Sequence, residues 1–242
     1  MDKYGIIGNP LGHSFSKSFF TEKFAKEGID AQYLNFQIPD INKLPEILKE
    51  NPELRGLNVT LPYKTEVIPF LDELSDEAQE IGAVNVVQIR NGHLKGFNSD
   101  IIGFTRSIQP LLKPHHRKAL ILGTGGASRA IRVGLTRLGL EWKYVSRSPR
   151  EGMFTYNDIT SETFKEYEVI VNCSPVGMFP KVDECPAIPY NYLSSDNLLY
   201  DLVYNPESTL FMKKGALQGA VVKNGLEMLH LQAIASWEFW NE

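Results

Sequence analysis

Three short stretches of this 242-residue chain gather groups able to hold a small polar ligand or move a proton. They are Gly8-Asn9-Pro10-Leu11-Gly12-His13-Ser14-Phe15-Ser16, Gly56-Leu57-Asn58-Val59-Thr60-Leu61-Pro62-Tyr63-Lys64 and Gly96-Phe97-Asn98-Ser99-Asp100. Each follows or leaves an apolar run with the pattern of a strand, and open α/β sheets bind ligands outside the carboxyl ends of their strands. Hydroxyls and amides can hold a polar ligand, and an amine with a carboxylate, here Lys64 and Asp100, can pass protons. Taken singly, each residue has an ordinary explanation. Ser14 and Ser16 precede a helix expected from Lys17 and read as N-caps. Lys64 reads as a surface lysine, and Asp100 as the cap of the segment beginning at Ile101.

The strongest local pattern is the turn Gly123-Thr124-Gly125-Gly126-Ala127-Ser128, placed after the apolar run Lys118-Ala119-Leu120-Ile121-Leu122. A dinucleotide-binding strand–turn–helix needs a glycine for the tight turn, a second that lets backbone N–H groups approach a pyrophosphate, and a small third residue for packing. Gly123, Gly125 and Ser128 take those places, and a helix should begin at about Gly126 with Ala127, Ile131, Leu135 and Leu138 as its core stripe and Gly139 as its end. Pyrophosphate belongs on the positive end of such a helix. The next strand ends Ser146-Arg147-Ser148-Pro149-Arg150, without the acid that would bind an NAD ribose. Arg147 and Arg150, flanked by the hydroxyls of Ser146 and Ser148, suit a 2′-phosphate, so the pattern favours NADP.

Apolar strands alternating with amphipathic helices must position these groups, which implies an α/β fold. Strands are expected at 4–8, 32–38, 56–61 and 83–90, with helices at 17–26 and 41–49. Asn91-Gly92 marks a hairpin, since both residues tolerate positive φ. Near-continuous apolar strands at 118–123, 142–146, 168–173, 198–203 and 219–223 suit a parallel sheet covered on both faces. A linker is expected at 111–118, a hinge at about 100–117, and a last helix at 228–240. Only five residues, 148–152, separate the strand ending at Ser146 and Arg147 from the strand-like run 153–156, too few for a helical crossover, so Arg150 is expected on a loop.

Hydrophobic residues make up 43% of the chain and charged residues 22%, and the net charge of −4 shows no basic face for nucleic acid. No run approaches the roughly 20 apolar residues that span a bilayer, and no signal-peptide pattern precedes the first strand. Cys173 and Cys185 fit no metal or redox spacing and read as reduced thiols of a cytoplasmic protein. His13, His93, His115, His116 and His230 are scattered and read as surface histidines, so no metal is expected.

Together these stretches resemble the shikimate dehydrogenase family over nearly the whole chain. The family's serine motif resembles residues 8–16, and its N-V-T-x-P-x-K motif stands intact from Asn58 to Lys64. Ile81-Gly82-Ala83-Val84-Asn85, Asn98-Ser99-Asp100, the glycine turn and Asn172-Cys173-Ser174-Pro175-Val176-Gly177-Met178 follow in order. Asp201-Leu202-Val203-Tyr204-Asn205-Pro206 and Gly225-Leu226-Glu227-Met228-Leu229-His230-Leu231-Gln232 complete the series. Three sites depart from the pattern, one being the connection 148–152, too short for the helix that usually follows the second strand. The start of the helix after Ser16 differs from the family's, and Ser146 stands where the family has asparagine beside the cofactor phosphate.

The resemblance implies two α/β domains with a cleft between them: a substrate domain of residues 1–100 plus 226–242, and a Rossmann-type, doubly wound NADP-binding domain of residues 101–225. It implies that Ser14 and Ser16 bind a substrate carboxylate and that Asn58, Thr60, Asn85, Asp100 and Gln232 hold hydroxyls. Tyr204 would stand beside the substrate at the nicotinamide end. Gly123, Gly125, Gly126, Ala127, Ser146, Arg147, Ser148, Arg150, Ser174, Leu202 and Gly225 would bind NADP. Lys64 and Asp100 would be the catalytic pair for reduction of 3-dehydroshikimate to shikimate, with Lys64 an ammonium that donates a proton as negative charge builds on the carbonyl oxygen. The enzyme would be a monomer or homodimer. The alternatives are a quinate/shikimate dehydrogenase using NAD or either cofactor, and a non-catalytic NADP-binding protein. A methylene-tetrahydrofolate-type dehydrogenase fits the small polar pocket poorly.

Overall fold

The computed structural model describes residues 1–12 and 15–242. These divide into two compact units, Met1–Ser99 with Gln232–Glu242, and Asp100–Leu231.

The first unit is built on a six-stranded mixed sheet. Its elements are β1 (Asp2–Gly8), α1 (Phe15–Glu27), β2 (Ala31–Gln37), α2 (Leu44–Glu50), β3 (Leu54–Val59), β4 (Glu73–Leu74), α3 (Asp76–Ile81), β5 (Val86–Arg90) and β6 (His93–Phe97). The strand order is β2-β1-β3-β5-β6-β4. β1 lies parallel to β2 and β3, and β5 runs antiparallel to β3 and β6. The pleat sends successive side chains to opposite faces. Tyr4 and Ile6 of β1 therefore join Phe20 and Phe24 of α1 in one core, while Ile7 joins Leu57, Val59, Val87 and Leu44 in the other. The expected hairpin forms at Asn91 and Gly92, with φ of 51° and 81°.

The sequence reading does not anticipate α3. Ser75 caps it, its Oγ accepting the Ala78 N–H at 3.1 Å, and Gly82 ends it at φ 68°. The strand expected at 83–90 starts only at Val86 for the same reason, because the turn after α3 occupies its first residues. α1 begins at Phe15, so Ser16 lies inside its first turn rather than before it.

The second unit carries a six-stranded, wholly parallel sheet. Its elements are α4 (Asp100–Ile108), β7 (Lys118–Leu122), α5 (Gly126–Arg137), β8 (Glu141–Ser146), β9 (Phe154–Thr155), α6 (Ser161–Glu166), β10 (Val169–Asn172), β11 (Leu198–Asp201), α7 (Leu210–Leu217) and β12 (Val221–Lys223). The order β12-β11-β10-β7-β8-β9 is that of the doubly wound dinucleotide-binding fold, with its switch point between β7 and β10. Ala119 and Ile121 of β7 pack into one core and Leu120 and Leu122 into another, which is why these strands read as unbroken apolar runs.

Three expectations for this unit meet the structure directly. The stretch read as a hinge carries α4, whose Ile101, Phe104 and Ile108 recur at helical spacing and are buried. His116, read as a surface histidine, is 7% exposed; its Nδ1 accepts the Lys113 N–H at 3.1 Å and its Nε2 lies 3.2 Å from the Asp196 carbonyl. Between β8 and β9 no helix forms, and residues 147–153 are turns and bends with Arg150 exposed among them. β9 nonetheless pairs parallel to β8, through Val145 with Phe154 and Ser146 with Thr155. The last helix, α8, runs from Leu226 to Asn241, and no helix among the described residues is long and apolar enough to cross a membrane.

Trp240 of α8 closes the core over β3 and β5, and its Nε1 donates to the Val87 carbonyl at 3.1 Å. A Cβ at Gly56 would run into that indole. Gly56→Ala should cost about 1–3 kcal/mol by overpacking. Urea unfolding should show this as a lower midpoint with unchanged slope; an unchanged midpoint would mean the indole is not wedged there.

Candidate functional site

Two polar edges emerge, one in each unit. In the first, the carboxyl ends of β1, β3 and β6 and the amino end of the antiparallel β5 share one edge of the sheet. That edge brings Asn58, Thr60, Lys64, Asn85, Asn98 and Ser99 together. α8 adds Gln232 and, one turn on, Ser236.

Asn58, Asn85, Ser99, Gln232 and Ser236 form a connected hydrogen-bond network. Tyr33 on β2 donates its hydroxyl to Asn58 Oδ1 at 2.8 Å. Asn58 Nδ2 donates to the Asn85 carbonyl at 3.3 Å and to Ser236 Oγ at 3.0 Å. Asn85 Oδ1 accepts the Ser99 N–H at 2.7 Å, and Asn85 Nδ2 donates to Ser99 Oγ at 3.0 Å. Ser99 Oγ lies 3.2 Å from Gln232 Oε1, and Ser236 Oγ donates to the Gln232 carbonyl at 2.8 Å. Asn98 Nδ2 donates to the Ala83 carbonyl at 3.0 Å.

Burial makes this matching obligatory: Asn58 is 6% exposed, Asn85 3%, Ser99 0% and Ser236 0%. Burial also pushes the Tyr33 phenol well up, a hydrogen bond with Ser16 acting the other way. Lys64 is half-buried just beyond the exit of β3, where its carbonyl accepts the Val84 N–H at 2.7 Å. Ser14 lies outside the described residues. Asp100, 6% exposed, opens α4 and belongs to the second unit.

The second polar edge follows the carboxyl ends of β7, β8, β10 and β11. Gly123 turns at φ 104°, a conformation that favours glycine, and a Cβ there would sit 3.4 Å from the Ser174 backbone N. Gly125 caps α5 with no side chain, no acid stands in the first turn, and a Cβ at Gly125 would meet nothing within 4 Å. The N–H groups of Gly126 and Ala127 therefore face an open approach suited to an anion. At the end of β8, Ser146 Oγ accepts the Ser148 N–H at 3.3 Å, and Arg147 and Arg150 are exposed. Tyr156 feels the Arg147 charge, though burial is the larger influence and raises its phenol.

After β11 the chain carries Leu202 and Tyr204, the latter 37% exposed, and Gly225 packs so closely that a Cβ would collide with the Leu202 carbonyl. β11 itself ends on a buried acid with no Lys, Arg or His paired to it among the described residues. Asp201 is 0% exposed and accepts from Asn172 Nδ2 at 2.9 Å, the Val203 N–H at 3.0 Å and Thr209 Oγ1 at 2.6 Å. Burial raises its carboxyl to about 6 despite those three hydrogen bonds. Burial, and after it the Asp201 charge, push the neighbouring Cys173 thiol up, away from thiolate reactivity.

Sequence reasoning missed Tyr33, Ser99, Ser236 and the Asp201 network as site groups. A legible signal existed for two of them. Ser236 stands four residues after Gln232, on the same helical face, and Asp201 ends an otherwise apolar run, Leu198-Leu199-Tyr200-Asp201.

Comparison with known proteins agrees with this architecture. Residues 6–87 match the family described as the shikimate dehydrogenase substrate binding domain. A shikimate dehydrogenase (NADP(+)) of Caldicellulosiruptor saccharolyticus is 32% identical over 99% of this chain and 92% of its own length. The crystal structure of shikimate dehydrogenase from Aquifex aeolicus superposes with a TM-score of 0.89 at 34% identity, covering 99% of this chain and 92% of that one. Shikimate 5-dehydrogenase from Thermus thermophilus, solved in complex with NADP(H) and shikimate, gives 0.87 at 32% identity, covering 99% and 93%.

Asp201 makes stability depend on pH with a definite sign. Its folded carboxyl, near 6, binds a proton more tightly than an unfolded Asp near 3.8. The folded state is therefore favoured at low pH by this group, and that advantage is lost as pH rises from about 4 to 6. At ~1.4 kcal/mol per tenfold in proton affinity the loss is on the order of 3 kcal/mol. Asp201→Asn keeps an acceptor for Asn172 and Val203 and can donate to Thr209, so its unfolding free energy should lack that downward component. Parallel stability–pH curves for the two proteins would contradict it.

Proposed function

The chain belongs to the shikimate dehydrogenase family, and from that premise we propose that it catalyses the reversible, NADP-dependent reduction of 3-dehydroshikimate to shikimate, a step toward chorismate and the aromatic amino acids. The observation that carries this reading is the run from Asn58 to Lys64 leaving β3 onto the sheet edge that also holds Asn85, Asn98, Ser99 and Gln232. Its density of amides and hydroxyls matches a substrate whose recognition is by hydroxyls. Asn58, Thr60, Asn85, Asp100 and Gln232 hold those hydroxyls, the Asn58 amide being oriented by its bonds to the Asn85 carbonyl and Ser236. Ser14 and Ser16 take the carboxylate, and Tyr204 borders the reacting end.

The dinucleotide fits the second unit on its own features: the Rossmann strand order, the side-chain-free N-terminus of α5, and exposed Arg147 and Arg150 after β8. Gly123, Gly125, Gly126 and Ala127 line the pyrophosphate turn. Ser146, Arg147, Ser148 and Arg150 meet the 2′-phosphate, and Ser174, Leu202 and Gly225 border the nicotinamide. Bound there, NADP supplies or accepts the hydride. Lys64 and Asp100 manage the proton: as carbonyl reduction builds charge on the oxygen, the Lys64 ammonium stabilises it and transfers a proton, and Asp100 orients the hydroxyl. In this reading the enzyme works in the cytoplasm on a small molecule, without nucleic acid or membrane, as a monomer or homodimer. Two features favour looser cofactor choice: Arg150 sits on the helix-free connection to β9, and Ser146 stands where the family pattern has asparagine.

The test is oxidation of shikimate and quinate with NADP and NAD side by side, followed by cofactor absorbance. Shikimate with NADP should be the best pair, and no oxidation of shikimate with either cofactor would reject the reading. Lys64→Ala should lower kcat by roughly 10²–10⁴-fold with little change in KM; near-normal turnover removes Lys64 from the chemistry. Arg147→Ala should raise KM for NADP while leaving that for NAD nearly unchanged.

A further inference from the structure

The carboxylate at the end of β11 touches three segments at once. Asn172 ends β10, Val203 begins the loop that carries Tyr204, and Thr209 caps α7, its Oγ1 also accepting the Met212 N–H at 3.3 Å. All three present donors to Asp201. Among side chains of this size, only a carboxylate is a two-oxygen acceptor with no donor of its own.

Its acceptor-only character dictates the next link. Because Asn172 Nδ2 faces Asp201, Asn172 Oδ1 must face the other way, where it accepts the Ser174 N–H at 3.1 Å and Ser174 Oγ at 2.7 Å. The Ser174 hydroxyl proton is thus committed inward, and its oxygen is left to accept, as it does from the Val176 N–H at 3.4 Å. The two loops are further tied by Leu202 N–H to the Asn172 carbonyl at 3.0 Å and Phe179 N–H to the Asn205 carbonyl at 3.0 Å. Gly123 of the glycine turn lies against Ser174, and Gly225 N–H bonds the Val203 carbonyl at 3.3 Å.

We infer that Asp201 is a positioning residue for the nicotinamide side of the cofactor site: its buried, acceptor-only carboxylate sets the Asn172 amide, and through it the Ser174 hydroxyl, while holding the Leu202–Tyr204 turn and α7 in register. The inference rests on the reading that this edge binds NADP. It assigns Asp201 no contact with substrate or cofactor. A replacement that fills the space without accepting should release the Asn172 amide and loosen both loops, whereas an asparagine keeps enough of the pattern to rescue them.

The experiment compares full-length wild type, Asp201→Leu, Asp201→Asn and Thr209→Val. Its readouts are NADPH dissociation constants from fluorescence titration and hydrogen exchange resolved to residues 173–179 and 202–206. Asp201→Leu should weaken NADPH binding about tenfold or more and speed exchange in both loops, with exchange in β7 unchanged. Asp201→Asn should return the affinity to within about threefold of wild type, and Thr209→Val, which removes one donor, should fall between. A merely structural role would lower stability in Asp201→Leu but leave the folded protein's NADPH affinity and loop exchange at wild-type values, and that result overturns the inference. Should Asp201→Leu not fold, unaltered affinity and loop exchange in Thr209→Val overturn it equally. Wild-type NADPH binding without shikimate oxidation would reject the assigned substrate and leave the positioning standing. Loss of NADPH binding in the wild type would reject the cofactor reading together with this one.

Discussion

A polar side chain at the end of a buried strand survives only if every donor and acceptor it carries is matched, and this constraint shapes both units. In the first, Asn58, Asn85, Ser99 and Ser236 are almost wholly removed from water yet fully engaged with one another. In the second, Asp201 is removed from water and its charge is met by three donors rather than by a cation. Such networks stabilise modestly when complete and are costly when broken. What they supply is orientation: the Asn58, Asn85 and Asn172 amides each have their oxygen and nitrogen matched to particular partners.

The two edges solve different chemical problems with the same device. The mixed sheet of the first unit runs β5 antiparallel between β3 and β6, so the start of one strand and the ends of its neighbours meet at one edge. That arrangement collects side chains far apart in the chain into a dense array of amides and hydroxyls suited to a polyhydroxylated acid. The all-parallel sheet of the second unit instead reverses its winding at the switch point, where Gly123 packs against Ser174 beyond the ends of β7 and β10. Backbone N–H groups and a helix terminus suit an elongated anionic ligand there better than side chains would, because they approach closely and cost nothing to reorganise.

The shortened connection from β8 to β9 shows a fold at its lower limit. Parallel neighbours normally need a helical crossover, yet residues 147–153 make the connection with turns alone, and β9 is correspondingly reduced to Phe154 and Thr155. The edge is sheltered by aromatic packing, with Phe154 against Tyr167 and the Lys143 ammonium over the Phe154 ring. Arg147 and Arg150 consequently sit on backbone unsupported by a helix, which makes the 2′-phosphate end the least braced part of the proposed cofactor site.

The sequence alone determined the local grammar of this protein. Glycine where φ is positive, apolar runs where both faces are covered, Asn91-Gly92 at the hairpin, and too few residues after Arg147 for a helix are all local constraints, and each is realised. The ordered motifs likewise pointed to the family, since residue types and spacings are carried in one dimension. Weaker local signals compete elsewhere: Gly103 and Thr105 interrupt the buried stripe Ile101, Phe104, Ile108, and α3 spans only Asp76–Ile81, too short for a clear periodicity. Only tertiary structure decided that Tyr33 braces Asn58, that Ser236 joins the network, that His116 is buried, and that Asp201 orders two loops at once. Those facts depend on which strands become neighbours, and hydrogen bonds between residues 25 to 178 positions apart leave no period or spacing in the chain to be read.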